Sequence, residues 1–311
     1  MAKTQGWKRR TSAGKGPVPE TGSAAEEASR GGDGVLTAAP PDEETPAPPV
    51  TDGTDPAGTG PGRHGRPGRP GRLGRLGLRD RLPVLLLQAA HPRQAILTAG
   101  GLAAAAAISG RPTREVAVVL ATVLVGQVIL GWHNDLVDRH RDARHETPGK
   151  PIASERLDPG TAWFALTCGV LLVVPLSISS GVTAGSAYLL SLVVGLLGNV
   201  VLRKGALSWL SWAVSFGLFP AYLSYGGWGG AYEGSAPTWQ MTVLFALLGV
   251  GVHVLRAVWG LVADNEDGWT YLPLRLGRRL GATRLLVVAG VYTAGVLVLI
   301  AVAATSVGLR Q

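Results

Sequence analysis

Asn134-Asp135-Leu136-Val137-Asp138-Arg139-His140-Arg141-Asp142 follows an apolar run, Glu115–Trp132, of the length that crosses a membrane. On a helix turning about 100° per residue, Asp135, Asp138 and Asp142 fall within one face roughly 60° wide. Three carboxylates so placed repel one another unless a cation or a basic partner sits among them. Hard oxygen ligands suit Mg²⁺, which keeps several waters and shares its shell with substrate phosphates. The face therefore reads in one of two ways. It holds a diphosphate through Mg²⁺, or it is a solvated helix end whose Arg and His offset the Asp.

The chain has 311 residues, of which 16% are charged, with a mean hydropathy of +0.23; the apolar residues concentrate after about residue 93. A net charge of +8 and a pI near 10.1 are compatible with nucleic acid as a partner. The basic residues, however, lie in the N-terminal tail and between apolar segments, as on the cytoplasmic face of a membrane protein. No nucleic-acid partner is expected. Cys168 is the only cysteine and lies in an apolar run, so a disulfide within the chain and a thiolate metal site are excluded and a small packing residue is expected.

Residues 1–80 are rich in Gly, Pro, Ala, Glu and Arg and carry almost no large apolar side chains. Such a segment cannot bury enough surface to offset its ordering entropy, and a disordered cytoplasmic tail is expected. No apolar stretch follows Lys8-Arg9-Arg10 to make a signal peptide. Between Gly62 and Arg79 an arginine recurs about every three residues. This repeat would either touch anionic headgroups of membrane lipids or act as a solubilising linker.

Residues 81–311 are expected to form an all-α polytopic transmembrane bundle. After an interfacial helix at Leu82–Arg93, seven apolar segments are expected to span: Gln94–Ser109, Glu115–Trp132, Thr161–Ile178, Thr183–Leu202, Ala206–Tyr225, Trp239–Ala263 and Arg284–Val307. With the tail inside, the cytoplasmic loops carry ten Lys and Arg, from Arg139 to Arg279, and the outside loops only Arg111 and Arg114. That asymmetry predicts an integral protein of the cell membrane with its N-terminus and acidic motifs on the cytoplasmic side.

A second acidic cluster ends the sixth span. Asp264 and Asp267 stand three apart and share a helix face, Gly268 is expected to end the helix, and Pro273 to keep it from resuming. Arg256 lies inside the apolar run. It should face the bundle interior, toward a first-cluster carboxylate or a substrate phosphate, or else snorkel to the interface. Lys150, Arg203 and Lys204 lie on the same side of the membrane. They would neutralise a leaving diphosphate or serve only the positive-inside pattern. His253 is expected to be a hydrogen-bonded structural residue. The remaining histidines, His91 and His145 among them, are too scattered for a metal site.

Taken together, these residues resemble the UbiA superfamily of membrane prenyltransferases. The superfamily's first motif, Asn-Asp-x-x-Asp-x-x-x-Asp, is matched by Asn134, Asp135, Asp138 and Asp142, and its following basic residue, Pro and Ile by Lys150-Pro151-Ile152. Its stretch Gly-x-x-Thr-Leu-Pro-x-Arg-Leu-Gly is similar to Gly268–Gly277, and Asn199–Lys204 is similar to its basic loop after the fourth span. The resemblance implies that Asp135, Asp138 and Asp142 hold Mg²⁺ and a prenyl diphosphate with Asn134 orienting them. It implies further that Lys150, Arg203 and Lys204 stabilise the diphosphate, and that Asp264 makes a remaining metal or water-mediated contact. The chain departs from the superfamily at the second motif, where Ala257 and Gly260 replace two acidic positions and Arg256 an Asn. A guanidinium there would stand in for the charge of one metal. The superfamily usually has nine spans against the seven counted here, and a homo-oligomer would supply the missing contacts.

The expected activity is Mg²⁺-dependent transfer of a prenyl group from a prenyl diphosphate to a lipid-soluble acceptor, inside the membrane. A membrane terpene cyclase of the same superfamily and a non-catalytic protein that kept the scaffold are the rival readings. No internal repeat of the transporter kind is present.

Overall fold

The computed structural model describes residues 80–227 and 234–306, and the expectation of a disordered tail falls, but for Asp80, outside them. The described residues are helical, with no strand. In chain order the helices are α1 (Leu82–Ala89), α2 (Pro92–Ile108), α3 (Thr113–Arg144), α4 (Pro159–Ile178), α5 (Val182–Leu197), α6 (Ser208–Gly217) and α7 (Phe219–Tyr225). They continue with α8 (Trp239–Ala257), α9 (Leu261–Glu266), α10 (Leu272–Leu280) and α11 (Ala282–Ser306).

Five stretches are long and apolar enough to cross a membrane: Thr113–Arg144, Pro159–Ile178, Val182–Leu202, Trp239–Glu266 and Ala282–Ala304. The chain is an integral membrane protein. The other two expected spans are helical but fall short as single helices. The 17 residues of α2 reach about 26 Å, and the run from Ser208 to Tyr225 breaks at Leu218, just before Pro220. The outer surface is apolar, with Leu97, Phe164, Leu171 and Val291 exposed, while Gln127, Ser191, Ser211, Asp135, Asp138, Asp142 and Asp264 are buried. That distribution suits lipid outside and polar function inside. Cys168 lies on the exposed side of α4 and does not pack in the core, because the inward face of that helix is taken by Ala162, Leu166 and Val173.

Local chemistry sets the helix ends that frame the site. Asp158 caps α4, its carboxylate accepting from the Thr161 N–H at 2.8 Å. At 32 residues α3 is about 48 Å long. Its apolar part fills a hydrocarbon layer of about 30 Å, and the motif Asn134–Asp142 is carried to the membrane boundary. Gly268 closes off α9 in a left-handed conformation (φ 71°). Pro273 does not stop the chain from turning helical again. It sits in the first turn of α10, where a missing N–H costs nothing.

Two glycines bring helices together. A Cβ on Gly131 would lie 2.7 Å from the Ala90 carbonyl carbon, so its absence seats the α1–α2 corner on α3, one turn before Asp135. A Cβ on Gly249 would overlap the Trp212 carbonyl oxygen and lie 2.9 Å from Phe216 Cβ, where α8 packs on α6. Gly249→Val is therefore expected to force α6 and α8 apart. In detergent its thermal unfolding should start several degrees below that of the natural chain, an overpacking cost of about 1–3 kcal/mol.

Candidate active site

The face of α3 that carries the three Asp turns inward, and Asp135, Asp138 and Asp142 are 1%, 8% and 5% exposed. Basic side chains from three other parts of the chain meet them. Lys150, in the loop after α3, lies 2.5 Å from Asp135 Oδ1 and 3.3 Å from Asp142 Oδ2, with Asn134 Oδ1 at 3.4 Å. His91 reaches Asp135 Oδ1 at 2.8 Å from the corner that Gly131 admits, its backbone held at φ 51°. Arg203 pairs with Asp138 Oδ1, while the Asn134 amide donates to Asp138 Oδ2 at 3.1 Å. Arg203 arrives there because α5 ends in a π-helical turn, Gly198–Leu202, a widened turn that shifts the register of the residues after it.

At this cluster Asp135 Oδ2 and Arg203 Nε are buried without a hydrogen-bond partner among the described residues, and Asp142 Oδ2 is met only by the Lys150 ammonium at 3.3 Å. Unmet buried groups cost about 1–3 kcal/mol each, and two acceptors beside one cationic donor suit a bound cation carrying an anion. Two hard carboxylate oxygens facing inward fit Mg²⁺ in donor type. Among the described residues no three His, Cys, Asp or Glu side chains converge as a metal cage, and Lys150 stands between the two Asp instead. That arrangement fits an ion held by one or two carboxylates and completed by water and phosphate, as Mg²⁺ usually is.

The second cluster is already paired. Arg141 donates to Asp264 Oδ1 at 2.6 Å and to Asp267 Oδ2 at 2.5 Å, and Tyr271 donates its hydroxyl to Asp264 Oδ2. His145 meets Asp267 Oδ1 at 3.0 Å. Burial works against the Asp267 charge, but the hydrogen bonds from Arg141 and His145 outweigh it and hold its carboxyl below the usual range. Burial, and then the bond to Asp264, push the Tyr271 phenol well above its ordinary value, so it stays a donor. Trp269 lies beneath three cations: Arg141 at 4.5 Å, Arg203 at 5.6 Å and Lys204 at 6.0 Å from its ring. The two acidic clusters thus meet across one indole.

Next to the first cluster opens a cavity with about 560 Å³ of empty space, part of it open to the outside. Gln94, Gln127, Asn134, Asn199, Ser211 and Arg256 supply its polar wall, and Leu130, Trp212 and Phe216 its apolar one. Arg256 is ringed by protein and still keeps exposed surface, because that surface belongs to the cavity. Its guanidinium lies 5.1 Å from the Trp212 ring, with no ion pair among the described residues, and Asp135 is the carboxylate in its electrostatic reach. The cation paired with the second cluster is Arg141.

The structure thus brings Asn134, Asp135, Asp138, Asp142, Lys150 and Arg203 together. Asp264 lies across Trp269 from them, and Lys204 is exposed on the rim without an ion pair. His253 is structural as expected, bonded to Ser208 at 3.0 Å and stacked on Trp212. Residues not anticipated are His91, Arg141, Trp269 and Tyr271. One signal was available: Arg141 and His145 are four apart on α3 and match the acidic pair three apart at Asp264 and Asp267.

Residues 95–309 match the model of the UbiA prenyltransferase family. The fold is similar to two solved structures of a UbiA homolog from Archaeoglobus fulgidus. One, bound to DMAPP and Mg²⁺, has 14% sequence identity and a TM-score of 0.52 over 69% of this chain and 75% of that one. The other, bound to GPP and Mg²⁺, has 13% identity and a TM-score of 0.54 over 71% and 87%. No curated protein matches the chain significantly.

Proposed function

The chain belongs to the UbiA prenyltransferase family, and from that premise we propose that it moves a prenyl group from a prenyl diphosphate to a lipid-soluble acceptor. The observation that carries this reading is a trio of buried atoms, Asp135 Oδ2 and Arg203 Nε without hydrogen bonds and Asp142 Oδ2 met only by Lys150, beside the cavity that Asn134 lines. The ligands named for the archaeal structures, DMAPP or GPP with Mg²⁺, are of the chemistry this trio suits. Asp135 and Asp142 would hold Mg²⁺, and Asp138, fixed by Asn134, would hold Arg203 against the diphosphate. Bound there, Mg²⁺ would neutralise phosphate oxygens as a Lewis acid.

The allylic C–O bond breaks with its electron pair leaving on the diphosphate, and the acceptor gives an electron pair to the carbon and then loses a proton. Lys150 and Arg203 lie where the leaving charge grows, and Lys204 adds positive potential at the rim. Arg256 and the apolar wall face the substrate, the wall keeping water from the allylic cation. By the distribution of Lys and Arg, the site opens to the cytoplasm.

The polar lining favours transfer over cyclisation. A cyclase folds a hydrocarbon against apolar walls, whereas Gln94, Gln127, Asn199 and Arg256 offer hydrogen bonds that a polar acceptor can use. Purified protein incubated with Mg²⁺ and a prenyl diphosphate, with and without a lipid extract as acceptor source, tests this. Mass spectrometry should find a prenylated product only when the extract is present. A cyclised or hydrolysed prenyl product formed equally well without it would favour the cyclase. Because Arg256 has no ion pair to lose, Arg256→Met should leave thermal unfolding almost unchanged. It should raise KM for one of the two substrates by about 10–100-fold, the value of one charged hydrogen bond.

A further inference from the structure

The second acidic cluster carries its own cation. All four carboxylate oxygens of Asp264 and Asp267 are engaged, by Arg141, Tyr271 and His145. Asp135 Oδ2, by contrast, has no hydrogen-bond partner among the described residues. Further carboxylates are missing where a metal would need them. Ala257 and Gly260 lie on the approach to Asp264, and Glu266 is 62% exposed and turned to His145. The Arg141 guanidinium is fixed on its third side by the Trp269 ring at 4.5 Å. It cannot be deprotonated, and it cannot leave without stranding Asp264, which is 5% exposed.

With the site read, as proposed above, as one for a prenyl diphosphate, we infer that Arg141 is the resident cation of the second cluster. It occupies the place that a divalent ion would otherwise take between Asp264 and Asp267, so that divalent ions bind at the first cluster alone. Arg141 spends Nε and one terminal nitrogen on the two carboxylates, and its other terminal nitrogen makes no hydrogen bond among the described residues. Arg203 shares the same indole and is tied to Asp138. The two guanidinium groups thus line the seam between the clusters. Arg141 acts as a fixed charge that positions the acidic pair, and needs no metal to do so.

Counting bound Mn²⁺ by the loss of its free EPR signal tests this on the purified full chain, with a non-hydrolysable prenyl diphosphate analogue present. Mn²⁺ stands in for Mg²⁺ at oxygen ligands. Arg141→Gln should bind roughly one more Mn²⁺ per chain than the natural protein, and the gain should vanish in Arg141→Gln/Asp264→Asn. Arg141→Lys, which keeps the charge, should bind as the natural protein does. In the natural background Asp135→Asn should lower the count and Asp264→Asn should not. Equal counts for Arg141→Gln and the natural chain would overturn the inference, and so would a count that falls on Asp264→Asn alone. If Arg141→Gln does not fold, the Asp264→Asn comparison still decides. A natural chain that binds no Mn²⁺ would refute the metal reading of the first cluster, while a gain in Arg141→Gln would still support Arg141 as the resident cation and no gain would still overturn it.

Discussion

Asp135→Asn or Asp138→Asn is expected to lower the rate of diphosphate release on the order of 10²–10³-fold, and the double variant to leave none detectable. Both side chains are buried, and each is tied to a cation that a neutral amide would not hold as firmly. Asn keeps the shape and loses the charge, so a metal–diphosphate pair loses its anchor while the helix stays intact. Stability should fall with Asp138→Asn, which leaves Arg203 without its carboxylate, and less with Asp135→Asn, because Lys150 keeps Asp142. Release assayed beside thermal unfolding separates the two effects. A fall in release that merely follows unfolding would place the Asp in the scaffold.

Lys150→Met should also lower stability, with a loss that Mg²⁺ can restore. Lys150 is the cation between Asp135 and Asp142, and its loss leaves Asp142 without a salt bridge and Asp135 with His91 alone. Removing one partner of a buried pair costs about 3–5 kcal/mol. In a chain of this size that lowers the unfolding temperature on the order of 10 °C in the presence of a chelator. Millimolar Mg²⁺ should recover much of the loss, since a divalent ion can supply the missing charge, and the rescue should exceed any Mg²⁺ effect on the natural chain. Diphosphate release should stay low even with Mg²⁺, because the leaving group still lacks its ammonium. Unfolding insensitive both to the substitution and to Mg²⁺ would mean that no ion binds among these Asp.

The sequence was informative where physics acts along the chain. Long apolar runs and an i, i+3, i+7 acidic face are one-dimensional patterns, and each appears in the fold as a helix or a cluster. Contacts between helices are a different matter. Arg141 reaches Asp264 across 123 residues of chain only because the helices pack as they do, and that packing rests on small residues such as Gly131 and Gly249 whose partners no local pattern names. The π-turn at Gly198–Leu202 and the break at Leu218 likewise lie in stretches that read as uninterrupted spans. Arg256 shows the same division. Its placement in the bundle interior was legible from an arginine in an apolar run, but its lack of an ion pair and its seat on Trp212 were not.

The most direct test is diphosphate release by the purified natural chain from prenyl diphosphates of about C10 to C20, titrated with Mg²⁺. The account predicts release that rises to saturation with Mg²⁺, stops in chelator and requires Asp135 and Asp138. Folded protein that releases no diphosphate from any of these substrates, at any Mg²⁺ concentration, would contradict it.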